Sequence, residues 1–177
     1  MPHAWKQLLV LTLCAAVLVA LLGQGNHALA PLGLTLTMPG LLISYAALRL
    51  PLGTGLAAAL LAGLLIDSQT PVEFGRHAAI LGLAFCLVHR VRGRLPREET
   101  VVAVVAALFV NLGIFVLLAF LDLGGLPDPA AGALRLLADL LVSQLATALV
   151  GPWFVALQRH SLQLAGAAPQ HATSRFA

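Results

Sequence analysis

The stretch GTGLAAALLAGLLID, residues 53–67, decides the class of this chain. Gly55, Ala59 and Gly63 recur every four residues, and the next step of four lands on Asp67. Residues four apart share one face of a helix. The segment reads as an apolar helix with a smooth groove down one side and a carboxylate at its end. Lipid tails are as apolar as Leu, so helices in a bilayer associate where small residues let backbones come close. The spacing predicts that Gly55, Ala59 and Gly63 accept another helix, and that Asp67 marks a chemically special end.

The rest of the chain agrees with a bilayer setting. Of its 177 residues, 60% are hydrophobic and 10% are charged, and the mean hydropathy is +0.96. A soluble domain carries roughly 25% charged residues. The composition predicts an all-α integral membrane protein. About 20 residues are needed to cross the bilayer core. Six apolar segments are legible, at about 7–23, 29–49, 52–67, 74–90, 100–121 and 133–157. They make residues 1–177 one polytopic domain with no room for a separate soluble one. The second segment is interrupted by Pro31 and Pro39, and the small, polar residues 160–177 read as a disordered tail.

Basic residues set an orientation. Lys6, Arg49, Arg90, Arg92, Arg94, Arg97, Arg159 and Arg175 fall on one side of the six segments, and Arg76 and Arg135 on the other. This asymmetry predicts cytoplasmic N- and C-termini. It accounts for the basic balance without nucleic acid, and the cluster from Arg90 to Arg97 suits anionic lipid head groups or a cytoplasmic partner. Ala28-Leu29-Ala30 has the outline of a signal-peptide cleavage site, which Pro31 directly after it disfavours.

Asp67 sits where the helix dipole disfavours a carboxylate, so it needs a partner. Arg76 and the backbone N–H groups opening the fourth helix are the candidates. Fixing the loop, contacting a partner, and a catalytic or proton-carrying role are the three readings of it. A second stripe, Asp139, Ser143, Thr147 and Gly151, again runs in steps of four with Gln144 beside it. Polar residues within a span face other helices, so this stripe predicts interhelical hydrogen bonds or a substrate path. Pro152 breaks one helix hydrogen bond, and Trp153 suits the membrane interface. Asn111 and Gly113 read as a packing notch. Cys14 and Cys86 sit in apolar runs as buried hydrophobes. The six histidines have no metal-ligand spacing, no metal or cofactor is expected, and no catalytic motif is present.

The run from Pro51 to Val88 resembles the rod shape-determining MreD family of bacteria. Gly53, Gly55, Gly63, Asp67 and Gly75 take the family's places in its G-x-G, Gly-rich helix, Asp and following Gly. Pro39 matches its early proline in the second span. Pro152-Trp153 followed by Arg159 matches its C-terminal pattern. The resemblance implies a six-helix fold like that of the substrate-binding S components of energy-coupling-factor transporters. It also implies a non-enzymatic scaffold of the elongasome in the cytoplasmic (inner) membrane. Such a scaffold supports peptidoglycan synthesis and rod shape by binding MreC, a bitopic protein, and through it MreB, RodA and a class B transpeptidase. An S component binding a vitamin or metal is the alternative. Ala16-x-x-x-Ala20 favours it, and the scarcity of aromatics opposes it.

Overall fold

The computed structural model describes residues 3–70, 73–95, 99–123 and 129–168. Among these residues six helices form: α1 (Ala4–Leu29), α2 (Pro39–Arg49), α3 (Leu52–Asp67), α4 (Arg76–Val91), α5 (Thr100–Leu123) and α6 (Pro129–Leu164). Short 3-10 turns at Ala30–Leu32 and Arg92–Arg94 follow α1 and α4. No strand occurs among the described residues.

Among the described residues three helices are long and apolar enough to cross a membrane: Ala4–Leu32, Thr100–Phe120 and Gly132–Leu164. Helices α3 and α4 have 16 residues each and are shorter. The expected second span, 29–49, is not one helix. Gly33, in the left-handed region at φ 68°, ends the 3-10 turn after α1. Residues 34–38 then run without helical structure, and α2 has only 11 residues, about 16 Å at 1.5 Å per residue. It is too short to cross a bilayer core of about 30 Å. Pro39 at its first turn lacks the N–H that an earlier start would need to bond.

Every residue of α2 from Pro39 to Leu48 is buried. The other five helices close around it, with α1 against α3 and α6, α3 against α4, and α5 against α4 and α6. A helix apolar on all sides belongs in such a place. Outside the ring the pattern inverts. In α6, Asp139, Ser143, Thr147 and Gly151 are buried, while Leu137, Leu141, Leu145 and Leu149 are exposed. In α1, Trp5, Leu9, Leu13, Val17 and Leu21 form an exposed apolar stripe in steps of four. Polar residues inward and large aliphatics outward suit lipid rather than water.

The chain beyond His160 corrects an expectation. Instead of a disordered tail from that residue, helix α6 continues to Leu164 and ends in a Schellman turn. Gly166 takes φ 61°, Ala167 N–H bonds to the Leu162 carbonyl at 2.9 Å, and Gly166 N–H to that of Gln163 at 3.0 Å. Gln7 of α1 donates to the Ala167 carbonyl at 2.9 Å, and Leu162 and Ala167 are buried. The remainder of the expected tail, residues 169–177, lies outside the described residues, as do Arg97 and Arg175.

Candidate functional site

The small-residue stripe of α3 is filled from within the chain. At Gly63 an added Cβ would lie 2.3 Å from Cα of Ala78, so the backbones of α3 and α4 touch there. At Gly55 it would lie 2.6 Å from the ring of Phe85 and 3.2 Å from the carbonyl oxygen of Ala46. Ala59 between them is buried. From α4, Gly82 returns the fit, its Cβ position lying 3.1 Å from Leu60. The expectation that this groove holds a partner helix is therefore redirected. Its occupants are α4 and α2 of the same chain, and no space remains for another backbone.

Asp67 locks the same crossing. Its Oδ2 accepts N–H bonds from Gly75 at 3.0 Å and Ala78 at 3.3 Å. Its Oδ1 accepts from the His77 backbone N–H at 3.1 Å and from His77 Nδ1 at 2.8 Å. Of the two candidate partners, the backbone opening α4 takes the carboxylate up. The first N–H groups of a helix have no partner inside it and gather partial positive charge. One carboxylate placed between two helices thus escapes the unfavourable end of α3 by capping α4. Gly75 adopts φ 97°, a left-handed turn that glycine enters without strain. Four hydrogen bonds thus tie the buried Asp67 to residues 75–78.

The α6 stripe serves a different purpose. Asp139 Oδ1 accepts from Thr35 N–H at 2.8 Å and Oδ2 from the Thr35 hydroxyl at 2.7 Å. Ser143 Oγ accepts from Thr37 N–H at 3.0 Å. Between these two, Leu36 turns the other way, its N–H bonding to Asn26 Oδ1 at 2.6 Å and its carbonyl accepting from Asn26 Nδ2 at 3.0 Å. Two extended residues advance about 6.7 Å and four helical residues about 6 Å, so the alternation of the segment matches the step of the stripe. The stripe expected to bond between helices in fact bonds a non-helical backbone. Such backbone is tolerated at membrane depth only where protein surrounds it. Asn26, Thr35 and Thr37 were not singled out by sequence: the partners of Thr35 and Thr37 lie more than 100 residues away and leave no local pattern, and Asn26 finds Leu36 ten residues on only because the chain turns back after α1.

Other expected residues divide. Pro39 opens α2 as described. Gly53 has nothing within 4 Å of a Cβ position and plays no packing part. Helix α6 runs through Pro152, and Trp153 points outward. Thr147 is buried with its hydroxyl unpartnered, as are both amide atoms of buried Asn111. Gly113 faces open space rather than a close neighbour. Cys14 is buried and Cys86 exposed.

Above the start of α2 lies a cavity of about 310 Å³. Val19, Met38, Leu42 and Ile114 line it on the apolar side, and Asn26, Gln69, Thr70 and His77 on the polar side. Among the described residues no group of three His, Cys, Asp or Glu side chains could hold a metal ion. No family model matches the chain, and neither a curated protein nor a solved structure matches it.

Proposed function

We propose that this chain is a non-enzymatic, multi-pass scaffold of the bacterial cytoplasmic membrane, acting in the elongasome as MreD-like proteins do. Its partner in this reading is an MreC-like bitopic protein, which links it to MreB, RodA and a class B transpeptidase. One observation carries the proposal. Four of the residues behind the resemblance, Gly55, Gly63, Asp67 and Gly75, converge on a single rigid crossing of α3 and α4. Their pattern is explained by assembly of a platform.

In the same reading all six helical segments cross the bilayer, the broken second one as an extended half and a helical half. Lys6, Arg49, Arg90, Arg92, Arg94 and Arg159 lie at the end where α1 and α5 begin and α6 ends, and Arg76 and Arg135 at the opposite end. The positive-inside rule then places both termini in the cytoplasm. Because the α3 groove is filled, the partner meets the outer surface of the bundle.

The test is purification of the tagged chain from native membranes in mild detergent, with mass spectrometry of what accompanies it. A bitopic coiled-coil protein with cell-wall synthases supports the scaffold. Paired ABC-type ATPases with a membrane coupling subunit overturn it in favour of solute capture.

A further inference from the structure

The five outer helices enclose more height than α2 fills. Gly40 lies against Ala107 and Asn111 in the first half of α5. The second half of α5, with Ile114, Phe115 and Leu118, therefore rises above the start of α2. The extended segment 34–38 passes this level pressed against α6 and Asn26, and it leaves the middle open. The cavity of about 310 Å³ is that space.

Its lining changes with depth. Along α1 the wall passes from Val19 to Leu22 to Asn26, and along the end of α3 from Ile66 to Gln69 and Thr70. The floor is apolar and the rim is polar. Asn26 is committed to Leu36, and the Thr70 hydroxyl bonds to the Ile66 carbonyl at 3.1 Å. His77 is committed only through Nδ1, and its side chain is 14% exposed. A carboxylate only accepts, so Nδ1 carries a proton toward Asp67, and when the ring is neutral Nε2 is an acceptor. Among the described residues Nε2 has no partner, and neither has the Gln69 amide.

Sites for small ligands are concave, mostly apolar and furnished with a few convergent polar groups, at volumes from about 300 Å³ upward. At roughly 30 Å³ per water-sized unit, the space holds on the order of ten non-hydrogen atoms. An apolar floor does not hold water well, and in a bilayer the available alternative is lipid.

We propose that this cavity binds one end of an amphiphilic lipid. Its apolar chain lies against Val19, Leu42 and Ile114, and its head hydroxyl donates to Nε2 of His77 with Gln69 beside it. The site rests on the membrane reading of the fold and is independent of the scaffold role.

The experiment uses the full chain in phosphatidylcholine nanodiscs with three probes: 1-decanol, decane and decanoate. The readouts are the thermal midpoint and the ring ¹⁵N shift of His77. Decanol is expected to raise the midpoint by roughly 5 °C at saturation and to move the Nε2 resonance, with decane giving a much smaller rise. Leu118→Trp, which fills the wall of the cavity, is expected to remove the response to decanol. Gln69→Ala, on an exposed residue, is expected to weaken decanol binding several-fold without lowering the midpoint of the free protein. Equal rises with decanol and decane, or an unmoved Nε2 resonance, overturn the hydroxyl contact. Tighter binding of decanoate overturns the neutral head. A decanol response surviving both variants overturns the site itself.

Discussion

Two junctions in this bundle are built on opposite principles. At the crossing of α3 and α4, glycine removes side chains until backbones touch, and a single carboxylate at the end fixes the register. At the junction of residues 34–38 with α6 and α1, side chains are added so that polar groups replace the helix hydrogen bonds the backbone has given up. The first joins two regular helices and needs no polar group along its length. The second exists because the chain is not helical there, and its bonds, apart from that of the Thr35 hydroxyl, answer an N–H or C=O that lipid could not satisfy. A membrane bundle thus meets its two problems, attraction without a hydrophobic effect and backbone without water, in separate places.

Substitution at Gly63 breaks the first junction most severely. Gly63→Leu places atoms where Cα of Ala78 already stands, 2.3 Å from the new Cβ. Overpacking against a side chain costs 1–3 kcal/mol, and here the obstacle is backbone, so a loss above about 3 kcal/mol is expected. The purified variant should fail to give a monodisperse peak in size-exclusion chromatography. A monodisperse variant of wild-type thermal midpoint would mean that α4 does not occupy the groove.

Asp67 comes next, and it separates hydrogen bonding from charge. Asp67→Leu strands the N–H groups of Gly75, His77 and Ala78, at about 1–3 kcal/mol for each buried group left unsatisfied. Asp67→Asn keeps one acceptor oxygen but turns an NH₂ group toward donors, so it should fall between wild type and Leu in thermal unfolding. Equal losses in the two variants would show that the negative charge at the start of α4 matters more than the bonds.

The second junction should respond more gently, because its load is shared. Asp139→Ala frees both the N–H and the hydroxyl of Thr35, and Ser143→Ala frees only the N–H of Thr37. Losses of about 2 and about 1 kcal/mol are expected. Hydrogen exchange should accelerate at Thr35 in the first variant and at Thr37 in the second, with α3 and α4 unchanged. Faster exchange at the start of α4 would show that the two junctions are one cooperative unit.

The contrast also governs what could be read beforehand. Gly55, Ala59, Gly63 and Asp67 lie within 13 residues of one helix, so their shared face follows from helix geometry alone. Only the identity of the occupant was open, since a groove says that something packs and not whether it belongs to the same chain. The break at 33–38 was signalled by Pro31 and Pro39, yet apolar residues run through it, and composition alone favours a continuous span. Its stabilising partners, Asn26, Asp139 and Ser143, come from two other helices. The stripe on α6 was visible as a polar face, but its target could not be named without the fold. The helical stretch after His160 was hidden for a similar reason, because Leu162 and Ala167 matter only through what they pack on, and Gly166 only through the turn it closes.

The smallest expected effect sharpens the comparison furthest. Gly53 belongs to the same G-x-G as Gly55, yet a Cβ there would meet nothing within 4 Å. Glycine in a helix costs about 0.5–1 kcal/mol relative to alanine, less near an end, so Gly53→Ala should leave stability unchanged or raise it slightly. Thermal unfolding of the variant checks this directly. Co-purification then asks a separate question of the same protein. If Gly53→Ala keeps its midpoint but loses its bitopic partner, the close approach that glycine permits is made to another chain, and the start of α3 is where the partner docks. If both are unchanged, the G-x-G pattern here reduces to Gly55 and its contact with Phe85, and the partner surface lies elsewhere on the apolar exterior.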